Sequence, residues 1–157
     1  LFSDIQGGSQ LSEGFEFDLI LSPSENFQMI ATFNRGDAIY EKHPTNPALN
    51  RTPLVATPDK TFNLWAKYLF VNGPLHGFTL AGGANYVGSM SYVGNNPAER
   101  FPSYYTLDAT IGYRFRALGR PWEAECTVKN LTDERYYASA TSWGFPRHTL
   151  LTLTTRF

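Results

Sequence analysis

An all-β fold is predicted for this chain: the wall of a transmembrane, antiparallel, up-and-down β-barrel. Three observations predict it. Apolar and polar residues alternate with a period of two in seven separate runs. The connections between those runs alternate between short and long. One of the two faces so produced carries no charge and gathers its aromatic residues towards the strand ends.

The first run, residues 14–21 (GFEFDLIL), puts Phe15, Phe17, Leu19 and Leu21 on one side and Glu16 and Asp18 on the other. SPSEN turns the chain into residues 27–37, where Phe27, Met29, Ala31 and Phe33 continue the apolar side. Residues 60–70 contribute Phe62, Leu64, Ala66, Tyr68 and Phe70, and VNGPLHG leads into residues 78–90, with Phe78, Leu80, Gly82, Ala84 and Tyr86. Residues 104–115 add Tyr105, Leu107, Ala109, Ile111, Tyr113 and Phe115. RALGRP then reverses the chain into residues 122–131, with Trp122, Ala124, Cys126 and Val128. The last run, residues 147–157, places Thr149, Leu151, Leu153, Thr155 and Phe157 on the same side. Residues 1–6 read as the tail of an eighth strand.

Pro and Gly in the three short connections supply the fixed or positive φ that tight reversals need. The longer connections, residues 38–59, 91–103 and 132–146, all fall at the opposite end of a meander, the plan of a barrel with periplasmic turns and extracellular loops. Charge on the strands falls on the second face, at Glu16, Asp18, Lys67, Asp108, Arg114, Glu123, Glu125, Lys129 and Arg156. Alternation alone does not tell a membrane barrel from a soluble one turned inside out. Strand length does: the ten residue steps from Tyr105 to Phe115 span about 33 Å, or about 25 Å after a tilt near 40°, the height of an outer-membrane apolar band.

Composition excludes several classes. Thirteen basic and 14 acidic residues give a net charge of −1, which offers nucleic acid no electrostatic footing. A single cysteine makes no internal disulfide, and no apolar run is long enough for a membrane-spanning helix. His43, His76 and His148 lack metal-ligand spacing. The carboxylate pairs Glu16/Asp18 and Glu123/Glu125 suit a hydrated lumen better than acid–base catalysis, since no nucleophile or oxyanion hole accompanies them. Gly82-Gly83 sits mid-strand, where glycine lets a bulky side chain or another backbone approach. Asn50-Arg51-Thr52 and Asn130-Leu131-Thr132 match the glycosylation pattern, a short motif prone to chance matches. The candidate ligand contacts are Tyr40, Tyr92, Arg100, Trp143 and Arg147, an aromatic, cation-bearing set on the long connections.

Several stretches together resemble the C-terminal part of TonB-dependent outer-membrane receptors, above all the ferric-siderophore receptors. They are SEGFEFDL (12–19), SPSENFQ (22–28), KTFNLWAKY (60–68), FPSYYTLDATIGYRF (101–115), VKNLTDERYY (128–137) and SWGFPRHTLLTLTTRF (142–157). The resemblance implies a barrel of about 22 strands, of which residues 1–157 form the last third, and a separate N-terminal plug domain that this chain lacks. It implies import of an iron–siderophore complex across the bacterial outer membrane with energy delivered through TonB, with no covalent chemistry and no resident cofactor. Related receptors take other large nutrients, cobalamin and glycans among them. By the same resemblance Phe157 belongs to the signal read by the outer-membrane assembly machinery. Two alternatives stand beside it: a complete eight-stranded outer-membrane protein, structural, adhesive or enzymatic, and a soluble small-ligand barrel.

Overall fold

The computed structural model describes residues 7–92 and 99–155; the expected eighth strand and Phe157 lie outside them. Eleven strands occur among the described residues: β1 (Ser9–Ser24), β2 (Phe27–Lys42), β3 (Lys60–Leu69), β4 (Phe78–Val87), β5 (Met90–Ser91), β6 (Arg100–Phe101), β7 (Tyr104–Ala117), β8 (Arg120–Lys129), β9 (Tyr137–Ser139), β10 (Ser142–Trp143) and β11 (His148–Thr155). Seven form one sheet in the order β1-β2-β3-β4-β7-β8-β11, every neighbour antiparallel. This is the meander that the alternation predicts. The sheet is open, and β1 and β11 are its outer strands.

Boundaries differ from expectation where the loops acquire structure. The β1–β2 hairpin runs on past residue 37 to Lys42. It is extended by the returning loop, where Leu54 N–H donates to Ala38 O at 2.8 Å and Tyr40 N–H to Thr52 O at 2.9 Å. Strand β4 stops at Val87, short of residue 90, because Met90 and Ser91 leave the sheet to pair with Phe101 and Arg100. The β7–β8 connection tightens to Leu118 and Gly119, at φ +54° and +74°, the two positive values of a type I′ hairpin turn.

Register resolves the apolar face into rows. Phe17, Phe33, Phe62, Tyr86 and Tyr105 stand directly opposite one another across five strands. They form one aromatic row within the girdle on the long-loop side. Phe15 lies one outward pair beyond it, opposite Arg35, which in turn faces Lys60, and Glu13 pairs with Asp37 one outward pair further on; the apolar face is therefore free of charge only up to the aromatic row, not to the loop ends of the runs as the alternation suggested. Towards the short turns Phe78 packs on Tyr113, Tyr68 on Phe70, and Phe115 stands opposite Trp122. Between the girdles lie small and aliphatic rows, among them Leu80, Ile111, Cys126 and Leu151.

This face has no protein against it. Among the described residues the buried hydrophobics are Ala81, Met90 and Phe101, whereas Phe17, Leu80, Ile111, Leu151 and Leu153 are all at least half exposed. The chain exposes 11334 Å², against about 8,000 Å² for a compact chain of 17.7 kDa, an excess shared by both faces and the two open edges of the sheet. Hydrocarbon has to supply what a core would otherwise supply.

The opposite, lumen-side face is less uniformly polar than its charges suggest. Ile20, Ile30, Trp65, Gly83 and Asp108 form one of its rows. The Trp65 ring lies across Gly83, where an added Cβ would sit 2.5 Å from a ring carbon. That contact is the close approach expected of the mid-strand glycines. Lys129 reaches back over the row, 2.7 Å from the Asp108 carboxylate and 5.7 Å from the Trp65 ring centroid.

Candidate functional site: the long-loop end

Three long connections meet above the loop-side girdle, and backbone pairing laces the first two together. Val55 and Pro58 bridge to Ser91 and Met90, and Ala56 N–H donates to Ser91 O at 3.0 Å. Aromatic rings join the second connection to the third. Tyr92 meets Phe101 edge-on at 5.0 Å between centroids, Phe101 meets Tyr137 at 4.7 Å, and Tyr137 stacks on Trp143 at 4.1 Å. Phe101 is buried at the centre of this chain of rings, while Tyr92 and Trp143 are exposed at its ends. Beside it Tyr104 stacks on Tyr136 at 4.1 Å. The Tyr136 ring lies so close to Gly144 that any Cβ there would overlap it. A side chain at Gly144 would displace the Tyr136 ring from its stack on Tyr104.

A buried asparagine fixes the third connection. Asn130 is 4% exposed and left-handed at φ +51°, a conformation that Asn tolerates better than most residues. Its Nδ2 donates to Glu134 O at 2.9 Å and to Phe145 O at 3.1 Å, and its Oδ1 accepts from Glu134 N–H at 2.9 Å. One side chain thus ties both ends of the connection. Below it, Asn130 N–H donates to Asp108 Oδ1 at 2.9 Å, while Asp108 Oδ2 accepts from Lys129. Asp133 takes a second left-handed position, at φ +56°, and accepts Arg147 N–H at 2.8 Å. The NLTDE stretch is a loop clamp, a role that its match to the glycosylation pattern conceals.

Of the five candidate contacts, the structure brings Tyr92, Arg100 and Trp143 to this aromatic cluster. Arg100 adjoins Phe101 in β6 and donates to Ser89 O at 3.0 Å. Arg147 sits instead at the loop base, its guanidinium 3.4 Å from Leu131 O. Tyr40 lies in the first connection's hairpin, its ring 4.9 Å from that of His43. His43 Nδ1 in turn accepts the Thr45 and Asn46 N–H groups, a structural use of the imidazole. Phe101, Tyr137 and Tyr136 are cluster members that the sequence reading missed. The paired tyrosines of DERYY were the available signal.

Comparison with known proteins gives the same architecture. Residues 2–131 match the family model described as TonB dependent receptor-like, beta-barrel. The chain is 32% identical over 164 aligned residues to the ferrichrome outer membrane transporter/phage receptor of Escherichia coli K12, covering 99% of this chain and 21% of that protein. It is 30% identical to the ferrioxamine B receptor of Salmonella typhimurium, covering 85% and 19%. Among solved structures, the ferric preacinetobactin receptor BauA of Acinetobacter baumannii superposes with a TM-score of 0.82 at 23% identity, over 95% of this chain and 22% of that one. The ferric-catecholate import receptor Fiu of E. coli K12 gives 0.71 at 26% identity, over 93% and 21%. This chain spans about a fifth of the length of the relatives it matches. A lipid-facing sheet of this topology, matched along most of its length, belongs to the TonB-dependent receptor β-barrel family of the bacterial outer membrane.

Proposed function

We propose that this chain is the C-terminal part of the barrel of a ferric-siderophore receptor, and that its long-loop cluster helps to capture the chelate at the cell surface. The observation that carries the proposal is the chain of rings from Tyr92 through Phe101 and Tyr137 to Trp143, with Arg100 alongside. Exposed rings offer flat apolar contact, and a guanidinium offers charge-assisted hydrogen bonds to the oxygens of an anionic chelate. Relatives named for ferrichrome and ferrioxamine B support the ligand class. Import then draws energy through TonB acting on an N-terminal plug, and the outer-membrane assembly machinery reads a signal that includes Phe157.

Cells lacking the full-length protein are expected to lose uptake of at least one radio-iron chelate from a panel of ferrichrome, ferrioxamine B and a ferric catecholate. Trp143→Ala is expected to weaken binding of that chelate by about tenfold, the equivalent of one lost stacking contact. Uptake of every chelate at the normal rate in the deletion strain would contradict the proposal.

A further inference from the structure

At the loop end of β8 the ladder slips by one residue. Continuing the β7–β8 register past Ala109 and Val128 would set Leu107 opposite Asn130. Instead Leu131 N–H donates to Leu107 O at 2.6 Å, and Asn130 turns left-handed at φ +51°. This is a bulge of the kind that ordinarily carries glycine at its left-handed position. It frees the N–H of a buried residue from the ladder, and a buried donor left without an acceptor is costly. Asp108 Oδ1 accepts that N–H at 2.9 Å.

The acceptor comes from the barrel wall and not from the loop. Asp108 shares the lumen-side row of Trp65 and Gly83, and its side chain is partly open to the lumen. Lys129 Nζ holds its other oxygen at 2.7 Å while leaning over the Trp65 ring. One carboxylate oxygen is thus fixed by a charge-assisted bond and the other is aimed at the bulge. Above the bulge, Asn130 Nδ2 holds Glu134 O and Phe145 O. Phe145 lies two residues beyond Trp143, and Trp143 stacks on Tyr137. Bonded contacts therefore run without a break from the lumen wall to the segment that carries the outermost ring.

We propose that, given the capture role of the ring cluster on which this assignment rests, Asp108 is a positioning residue for chelate binding. From the lumen wall it sets the bulge at Asn130, and through that bulge the height and angle at which Trp143 meets the chelate. Asp108 itself touches no chelate. Its effect on affinity passes through the Tyr137–Trp143 stack and exists only while Trp143 is present.

The test measures binding of radio-iron ferrichrome, ferrioxamine B and a ferric catecholate to the full-length protein in outer-membrane vesicles, and follows whichever of the three binds most tightly. D108A is expected to weaken binding about fivefold, the size of coupling found within one hydrogen-bond network. D108N keeps an oxygen for the Asn130 N–H and is expected to stay within about twofold of the unaltered protein. The double variant D108A/W143A is expected to bind about tenfold more weakly, no worse than W143A alone, whereas independent losses would multiply to about fiftyfold. R114Q breaks the other lumen-side ion pair, with Glu123, and is expected to leave binding unchanged. Should D108A fail to assemble, D108E takes its place. It keeps the charge but displaces the carboxylate by one carbon, and about threefold weaker binding is expected, again with no further loss on top of W143A. Undiminished binding by D108A and D108E, or losses that multiply with that of W143A, overturns the positioning role and leaves the capture reading standing. A D108N loss equal to that of D108A also overturns it, by assigning the effect to charge. Undiminished binding by W143A overturns the capture reading and the positioning role together.

Discussion

Asn130→Ala is expected to release the last long loop and to lower stability by about 3–4 kcal/mol. The substitution deletes three hydrogen bonds at 2.9–3.1 Å that one buried side chain makes to backbone at both ends of the connection. At about 1 kcal/mol net for each bond, that is about 3 kcal/mol. Alanine at φ +51° adds about 1 kcal/mol more, because a Cβ without local hydrogen bonding disfavours the left-handed region. Asn130→Gly separates the two terms, since glycine accepts the backbone geometry but restores none of the bonds. It is expected to lose about 1 kcal/mol less than alanine. Denaturant unfolding of the folded protein gives the energies, and amide hydrogen exchange over residues 132–146 gives the location. Unaltered exchange there in the alanine variant would show that the clamp is decorative.

Ile111→Arg is expected to cost about 2–4 kcal/mol, the penalty for a guanidinium at the middle of a bilayer. Ile111 lies in the row of Leu80, Cys126 and Leu151, between the two girdles. Its side chain is half exposed with no protein neighbour to relieve the charge. Thr152→Arg on the lumen side stands opposite Glu125, where water and a carboxylate receive the same group. There the expected change is within about 1 kcal/mol. Folding free energies of both variants in lipid vesicles check the contrast. Equal costs would mean that the two faces share one solvent.

The sheet was legible in the sequence because a period of two, sustained over strands of ten residues or more, fixes which residues share a face. It does not fix height. Phe15 and Phe17 have the same parity, and only the register with β2 shows that Phe17 belongs to the girdle while Phe15 stands beside Arg35. Alternation also hid Trp65, an apolar residue with lumen-side parity whose place depends on Gly83 in the neighbouring strand. The loop end was less legible still. Strands as short as Met90–Ser91 and Ser142–Trp143 carry no periodicity. Trp143 and Tyr92 were readable as exposed aromatics, but Phe101 and Tyr137, which join them, are recognisable only once two distant loops meet. Tyr40 and Arg147 looked equivalent to these in composition, and tertiary packing sets them apart.

The lipid-facing assignment is tested most directly by nitroxide labels at Leu107, Leu153, Asp108 and Thr154 in the protein assembled in its membrane, with collision rates measured against oxygen and a water-soluble nickel chelate. Labels at Leu107 and Leu153 are expected to favour oxygen, as in hydrocarbon, and those at Asp108 and Thr154 to collide with the nickel chelate. The reverse pattern would mean that the wall is inverted.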